Sequence, residues 1–406
     1  MILPAAATFS KDWRMFLGEG NQPFFIDHGK GAYLYGTDGN KYLDWICALG
    51  ANILGYADDR WVSAIIKEVV KGTSFPLQTR LEYEVAELLV NTLKPRVPGW
   101  ADKSLGVRFL KTGTECTNAA IRLARAVTGR DLIFKCRQSY LGWADWWIVT
   151  TPPAHGIPKD IAYHVDQFDF NDDEFFEANY TKAACVILEQ GLEDPNNNFY
   201  SAMRRFCDRT GALLILDETA SGFRYALGGA AECFNIMPDL ATYGKALGNG
   251  VSIAALVGHS EYMDWFGRRD PVFVSGTFFG ETTGLAGAKV VLETLTETSI
   301  SHLWNVGLGL MKELQIRFKM TPIKVVGHPC RFILQWPNDQ WHAYVVRSML
   351  EHFILLNRPN MTTLAHTMDD VMLTSNAAQD LVRDWQRNGL PEYKEEELPM
   401  VLFRNR

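Results

Sequence analysis

Two short apolar runs, each delivering a reactive side chain, constrain the fold of this chain more than anything else in it. The first, Leu213–Leu216, is followed directly by Asp217 and Glu218. The second, Leu240–Tyr243, leads through Gly244 to Lys245 and on to a Gly-rich turn, Gly248-Asn249-Gly250. Runs so short and unbroken suit strands buried on both faces, the situation inside a parallel sheet covered by helices. Val107–Leu110, Asp131–Cys136, Ala184–Gln190 and Ile253–Val257 are also strand-type, mostly apolar stretches, and helix-type patterns lie between them at Cys116–Val127 and Phe199–Thr210. Strand–helix alternation over 107–258 predicts an α/β fold with a mainly parallel sheet and helices on both faces. In such sheets ligands gather beyond the carboxyl ends of the strands, where Asp217 and Lys245 are predicted to meet.

An amine and a carboxylate at neighbouring strand ends are what a pyridoxal phosphate site requires. The lysine forms a Schiff base with the aldehyde, and the acid keeps the pyridine nitrogen protonated so that the ring accepts electrons. Lys245 and Asp217 are therefore the candidate catalytic residues. A third stretch, Lys111-Thr112-Gly113-Thr114-Glu115, runs from a strand into a helix. Gly113 lets the backbone pass close to an anion, Thr114 offers a hydroxyl, and a helix start supplies unpaired N–H groups. The alternative for Thr114 is a plain helix cap. A Walker-type loop is the wrong reading, because no Gly-x-x-x-x-Gly-Lys-Ser/Thr occurs.

Asp217–Arg224, Pro238-Asp239-Leu240 and Gly244–Gly250 together resemble the signature of class III aminotransferases. These are fold-type-I pyridoxal phosphate enzymes, and glutamate-1-semialdehyde aminomutase is one branch. The resemblance implies a large domain with a mainly parallel sheet, over 61–295. It also implies a small α+β domain over 296–406, joined by an N-terminal segment over 1–60. Gly113 and Thr114 would hold the cofactor phosphate, and Tyr140 and Thr219 would sandwich the ring. Glu189 either supports the cofactor or is an ordinary strand-end acid; Gln190 follows it where the family has proline. Leu141 stands where the aminomutase branch carries histidine. Gly276 and Thr277, in Phe273–Thr282, would reach the phosphate of a partner subunit's site, making the protein a homodimer with shared sites. The strand pair in Gly31–Asp44, turning at Asp38-Gly39-Asn40, resembles the family's opening. Leu49–Tyr56 resembles its loop near the active site.

The implied activity is transfer of an amino group between an amine or amino acid donor and a keto or aldehyde acceptor. The turn after Lys245 and Gly280-Glu281-Thr282 resemble family members encoded with surface-polysaccharide pathways, which implies a sugar-derived or other bulky keto substrate. An intramolecular aminomutase is the rival; Gly18–Pro23 is too short for that branch's substrate-binding segment and lacks its arginine. A non-catalytic binding protein is the third possibility. Leu364-Ala365-His366-Thr367 also matches the family and sets Arg358 on a preceding loop. There a guanidinium favours a carboxylate or phosphate on a substrate, against the alternative of a solvated loop arginine.

The formal charge of -7 argues against nucleic acid as partner. No apolar run reaches the roughly 18 residues of a membrane span, and the first residues lack the charged start of a signal peptide. Seven cysteines without a CxxC pair read as reduced, mostly core residues of a cytoplasmic protein. No histidine spacing suggests a metal site.

Overall fold

The computed structural model describes residues 6–18, 24–150, 155–179 and 181–399. Outside them lie 1–5, most of the Gly18–Pro23 segment (19–23), 151–154, 180 and the tail 400–406. The chain divides into a larger unit, Asp59–Ile300, and a smaller one assembled from Met1–Asp58 and Ser301–Arg406. In chain order the strands of the first segment are β1 (Ile26–Lys30), β2 (Tyr33–Gly36) and β3 (Lys41–Asp44). The larger unit holds β4 (Leu105–Leu110), β5 (Ile133–Cys136), β6 (Val165–Phe168), β7 (Cys185–Glu189), β8 (Leu213–Glu218), β9 (Leu240–Tyr243) and β10 (Ala254–His259). The last segment holds β11 (Lys324–His328), β12 (Arg331–Gln335), β13 (Ile354–Leu355) and β14 (Asn360–Met361).

The larger unit is built on one sheet in the order β4-β10-β9-β8-β7-β5-β6. Strands β5 to β9 pair in parallel, and β10 is antiparallel to both its neighbours. Every residue of β5, β7, β8 and β9 is buried, which is why these strands read as apolar runs without alternation. The Gly113–Thr128 helix lays Ile121, Leu123 and Ala124 into the same core as Ile187, Ile215 and Leu256. This is the expected α/β architecture, with three differences in where elements begin and end. β8 does not stop at Leu216: it runs on through Asp217 and Glu218, which pair with Thr242 and Tyr243 of β9. The helix after β4 begins at Gly113, not Cys116, because Thr112 and Glu115 form a reciprocal capping box ahead of it. The third lies within 143–170, where the sequence pattern predicts no element and the chain forms a short helix, Asp145–Ile148, and the edge strand β6.

The smaller unit has two sheets, β1-β2-β3-β13 and β11-β12-β14. Its core includes Trp45, Leu310, Phe332 and Leu356. His366 of the Leu-Ala-His-Thr stretch stacks on Trp45 with ring centroids 4.1 Å apart. Its Nδ1 accepts from Thr363 N at 3.0 Å and its Nε2 donates to Asp44 O at 3.0 Å. That motif therefore locks the loop before the last helix onto β3. The last helix, Met368–Asn388, begins behind a second capping box, Thr367 with Asp370. No helix among the described residues is long and apolar enough to cross a membrane.

Candidate active site

Parallel pairing of β7, β8 and β9 sets three polar groups in one row among otherwise apolar strands. Glu189 lies opposite Asp217, and Asp217 opposite Thr242. Asp217 is 3% exposed. Its Oδ1 accepts from Thr219 N at 2.9 Å and from Thr242 Oγ1 at 2.7 Å, and among the described residues its Oδ2 takes no hydrogen bond. Burial, and then the charge of Glu189, push its carboxyl up to about 6, with the hydrogen bonds from Thr219 and Thr242 opposing. A buried acid held by one oxygen and raised in pKa is arranged to meet a cation at the other.

Lys245 follows Thr242 by three residues and opens the short turn Lys245–Gly248. It is half-buried, and its backbone is left-handed, with φ 42°. A residue with a Cβ pays for that conformation, and such strain gathers at functional positions. The Gly-Asn-Gly turn that follows is left-handed at Asn249 (φ 48°) and Gly250 (φ 111°). Those two residue types are the ones that tolerate it.

The end of β4, the end of β8 and the end of β9 converge on Thr219. A Cβ on Gly113 would come 2.7 Å from Thr219 Oγ1, and one on Gly244 would come 3.2 Å from Thr219 Cγ2. Thr219 Oγ1 is buried and has no hydrogen-bond partner among the described residues. At the helix start, the Thr112 hydroxyl accepts from Glu115 N, while Glu115 Oε2 accepts from Lys111 N and Thr112 N. The cap is thus Thr112 rather than Thr114. Among the described residues the N–H groups of Gly113 and Thr114 donate no hydrogen bond, which leaves them for an anion. Thr114 Oγ1 accepts from Trp143 N at 3.4 Å. Gly142, with φ 110°, packs so tightly there that a Cβ would meet this hydroxyl at 2.4 Å.

Tyr140 is 47% exposed. Its N donates to Glu189 Oε2 at 3.3 Å, and Ser139 Oγ accepts from Glu189 N at 2.8 Å and donates to Glu189 O at 3.1 Å. Glu189 thereby ties the loop after β5 to the end of β7. The larger unit so gathers Gly113, Thr114, Tyr140, Glu189, Asp217, Thr219 and Lys245 around the ends of β4, β5, β7, β8 and β9. Gly276 and Thr277 are exposed on the turn before the Thr282–Thr294 helix. Among the described residues no hydrogen bond joins them to Gly113, Thr114, Thr219 or Asp217. Arg358 belongs to the smaller unit, where its Nε donates to Leu334 O at 2.9 Å and its guanidinium lies 4.2 Å from the Trp336 ring centre.

Three functional details escaped sequence reasoning. Thr242, a hydroxyl inside a buried strand, was visible as the polar residue in Leu240–Tyr243 but was not singled out. Glu218 points away into the protein, where its carboxylate accepts from Ser221 Oγ, Ala230 N (2.9 Å) and Ala231 N (2.8 Å). It braces the loop that leaves β8 through Thr219, and burial pushes its carboxyl up to about 7. Glu281 caps the Thr282–Thr294 helix at Thr283 N and Gly284 N and pairs with Lys111 Nζ at 2.6 Å. That gives the Gly-Glu-Thr stretch a structural task.

The donor set fits pyridoxal 5'-phosphate: an amine for the aldehyde, an acid with one oxygen unengaged for the ring nitrogen, an orphaned hydroxyl, and free N–H groups at a helix start for the phosphate. Among solved structures the chain resembles the FumI protein of Sphingopyxis sp. MTA144 with pyridoxal phosphate at 28% identity, covering 92% of each chain with a TM-score of 0.81. An omega-transaminase from Sphaerobacter thermophilus is similar at 25% identity, over 91% of this chain and 93% of that one, with a TM-score of 0.82. A glutamate-1-semialdehyde-aminomutase from Pseudomonas aeruginosa PAO1 shares the fold at 19% identity, over 92% and 90% of the two chains, with a TM-score of 0.80. The family model for class-III aminotransferases matches residues 16–316. With most of its length matched, this chain belongs to the class III aminotransferases, enzymes that work with pyridoxal phosphate.

Proposed function

We propose that this enzyme moves an amino group from an amine or amino acid donor to a separate keto or aldehyde acceptor, with Lys245 and Asp217 as its catalytic residues. The observation that carries the assignment is the row Glu189–Asp217–Thr242 with Lys245 beyond it: a buried acid on β8 with Oδ2 unengaged, and a lysine of left-handed backbone just past the end of the neighbouring β9. Bound pyridoxal phosphate supplies an electron-accepting ring that loosens the proton on the carbon bearing the donor nitrogen. Lys245 Nζ is the amine that would hold the cofactor through its aldehyde. With a donor bound, Nζ would be the group placed to take that proton and to return it. Asp217 would hold the protonated ring nitrogen with its unengaged oxygen, and its buried setting would make that pairing of charges stronger than in water.

Gly113 and Thr114 hold the phosphate, Tyr140 and Thr219 bound the ring, and Glu189 fixes the Tyr140 loop. In this reading the protein is a homodimer, with Gly276 and Thr277 completing the phosphate site of the partner. Support comes from the exposure of that turn and of its flanking aromatics, Phe273 at 71% and Phe278 at 63%, surface that ordinarily gains a cover. A sugar-derived keto acceptor, Arg358 as the contact for a substrate anion, and a cytoplasmic setting are the finer parts of the same proposal.

The test is a screen of amine donors against the cofactor-loaded protein, followed by carbonyl acceptors, sugar-derived ketones among them, for each productive donor. Net turnover should require both a donor and an acceptor. Conversion of one amino compound into its isomer with no acceptor present would make the protein an aminomutase. Spectral inertness toward every donor would favour a binding protein.

A further inference from the structure

Arg108 and Arg122 take no part in the chemistry above, yet both address one short segment. Arg108, on β4, donates from Nη2 to the carbonyl of Val274 at 2.9 Å. Arg122, on the Gly113–Thr128 helix, donates from Nη1 to the carbonyl of Phe273 at 2.6 Å. Two consecutive backbone carbonyls thus receive charged donors from two different elements. The anchoring continues on either side. Val272 is buried in the core, and its N donates to Trp265 O at 3.0 Å. Phe279 packs against the same core, and Gly276 lies so near its ring that a Cβ would come within 2.7 Å of it. Gly280 leaves room for Glu82, whose carboxyl is raised by burial and lowered by the charge of Arg108. Between these anchors Ser275, Gly276, Thr277 and Phe278 face outward. The result is a projecting turn on a fixed base.

A turn that offers ligand groups to another molecule loses affinity to the entropy of ordering it, and a base fixed in advance removes that loss. We propose that Arg108 and Arg122 are positioning residues for the cofactor site of the other subunit: they hold Phe273 and Val274 so that Gly276 and Thr277 arrive there preformed. The inference rests on the reading that Thr277 acts in trans.

Arg122 is exposed, so Arg122→Met keeps the stem, removes the donor and leaves the core alone. In the homodimer, titration of cofactor-free protein with pyridoxal phosphate should give a dissociation constant raised by about tenfold, the low end for a hydrogen bond to a charged group. Arg122→Lys, which retains a donor, should fall between that and the parent and keeps the proposal testable should the Met variant misfold. Heterodimers with Lys245→Ala then separate cis from trans. In the mixed dimer of Arg122→Met and Lys245→Ala, the lysine-bearing site receives its turn from the subunit whose Arg122 is intact. The absorbance of lysine-bound cofactor should therefore titrate with the parent affinity. A parallel cross of Thr277→Ala with Lys245→Ala tests the underlying reading. Recovery in the Thr277 cross but not in the Arg122 cross would overturn the positioning role alone. Failure of both crosses would overturn the in-trans reading and the proposal with it. Parent affinity in the Arg122→Met homodimer would overturn the proposal and leave that reading standing.

Discussion

Asp217→Asn should move stability and activity in opposite directions. Burial, and then Glu189, hold this carboxyl at about 6 in the folded protein, against an ordinary value of 3.8. Between those two values the folded state binds more protons than the unfolded one, so stability falls as pH rises and the loss is complete above about 6. At 1.36 kcal/mol for each tenfold change in proton affinity, the ionised group costs the cofactor-free protein about 3 kcal/mol at pH 8. Asparagine never ionises, and its Oδ1 can still accept from Thr219 N and Thr242 Oγ1. The cofactor-free variant should therefore be the more stable protein, by up to about 3 kcal/mol at pH 8 and roughly half that at pH 5. Urea denaturation of both cofactor-free proteins at the two pH values, at matched slope, measures the difference. With cofactor and substrates present, the same variant should lose about 100-fold in turnover, because a neutral amide cannot hold the ring nitrogen's charge. A variant less stable than the parent at pH 8 would refute the electrostatic argument. Turnover within about threefold of the parent would refute the catalytic role, since a preorganised charge is worth far more.

Gly113→Ala should raise the cofactor dissociation constant and lower the melting temperature, since the new methyl meets Thr219 Oγ1 at 2.7 Å and Cγ2 at 2.8 Å; overpacking of this kind costs about 1–3 kcal/mol. Adding Thr219→Ala should restore part of the melting temperature, and no recovery would place the strain elsewhere. Arg358→Ala should weaken anionic substrates by roughly 1.5–3 kcal/mol, the range for a hydrogen bond to a charged group, and leave neutral amines nearly unaffected. Equal losses for both kinds of substrate would assign Arg358 to packing on Trp336 and to its bond with Leu334 O.

The sequence made legible what local pattern and strand order control. Leu213–Leu216 and Leu240–Tyr243 read as buried strands because both faces are covered, and the same covering brings Asp217 and Lys245 to one end of the sheet. The start of the helix at Gly113 was also within reach, since Thr112 and Glu115 stand three apart as a capping box requires. It was missed because the apolar periodicity begins only at Cys116. Thr367 and Asp370 carry the same three-apart signal at the start of the last helix. β6 escaped because an edge strand lying among aromatic and Pro-containing loops carries too little alternation to stand out. What no local pattern could give was long-range accounting. Glu218 looks identical to Asp217 in sequence, and only the pleat turns one toward the site and the other into a brace for Ala230 and Ala231. The aim of Arg108 and Arg122 at Val274 and Phe273 depends on a segment more than 150 positions away.

The central claim is that Lys245 is the residue that binds the cofactor, and chemical trapping tests it most directly. Borohydride reduction of the cofactor-loaded protein, followed by peptide mapping, should place a single pyridoxyl group on the Nζ of Lys245. The other lysine near the helix start, Lys111, is held by Glu281 at 2.6 Å and by Ser252 O at 2.9 Å, and should remain unlabelled. Label on Lys111, or label spread over surface lysines with Lys245 unmodified, would contradict the account.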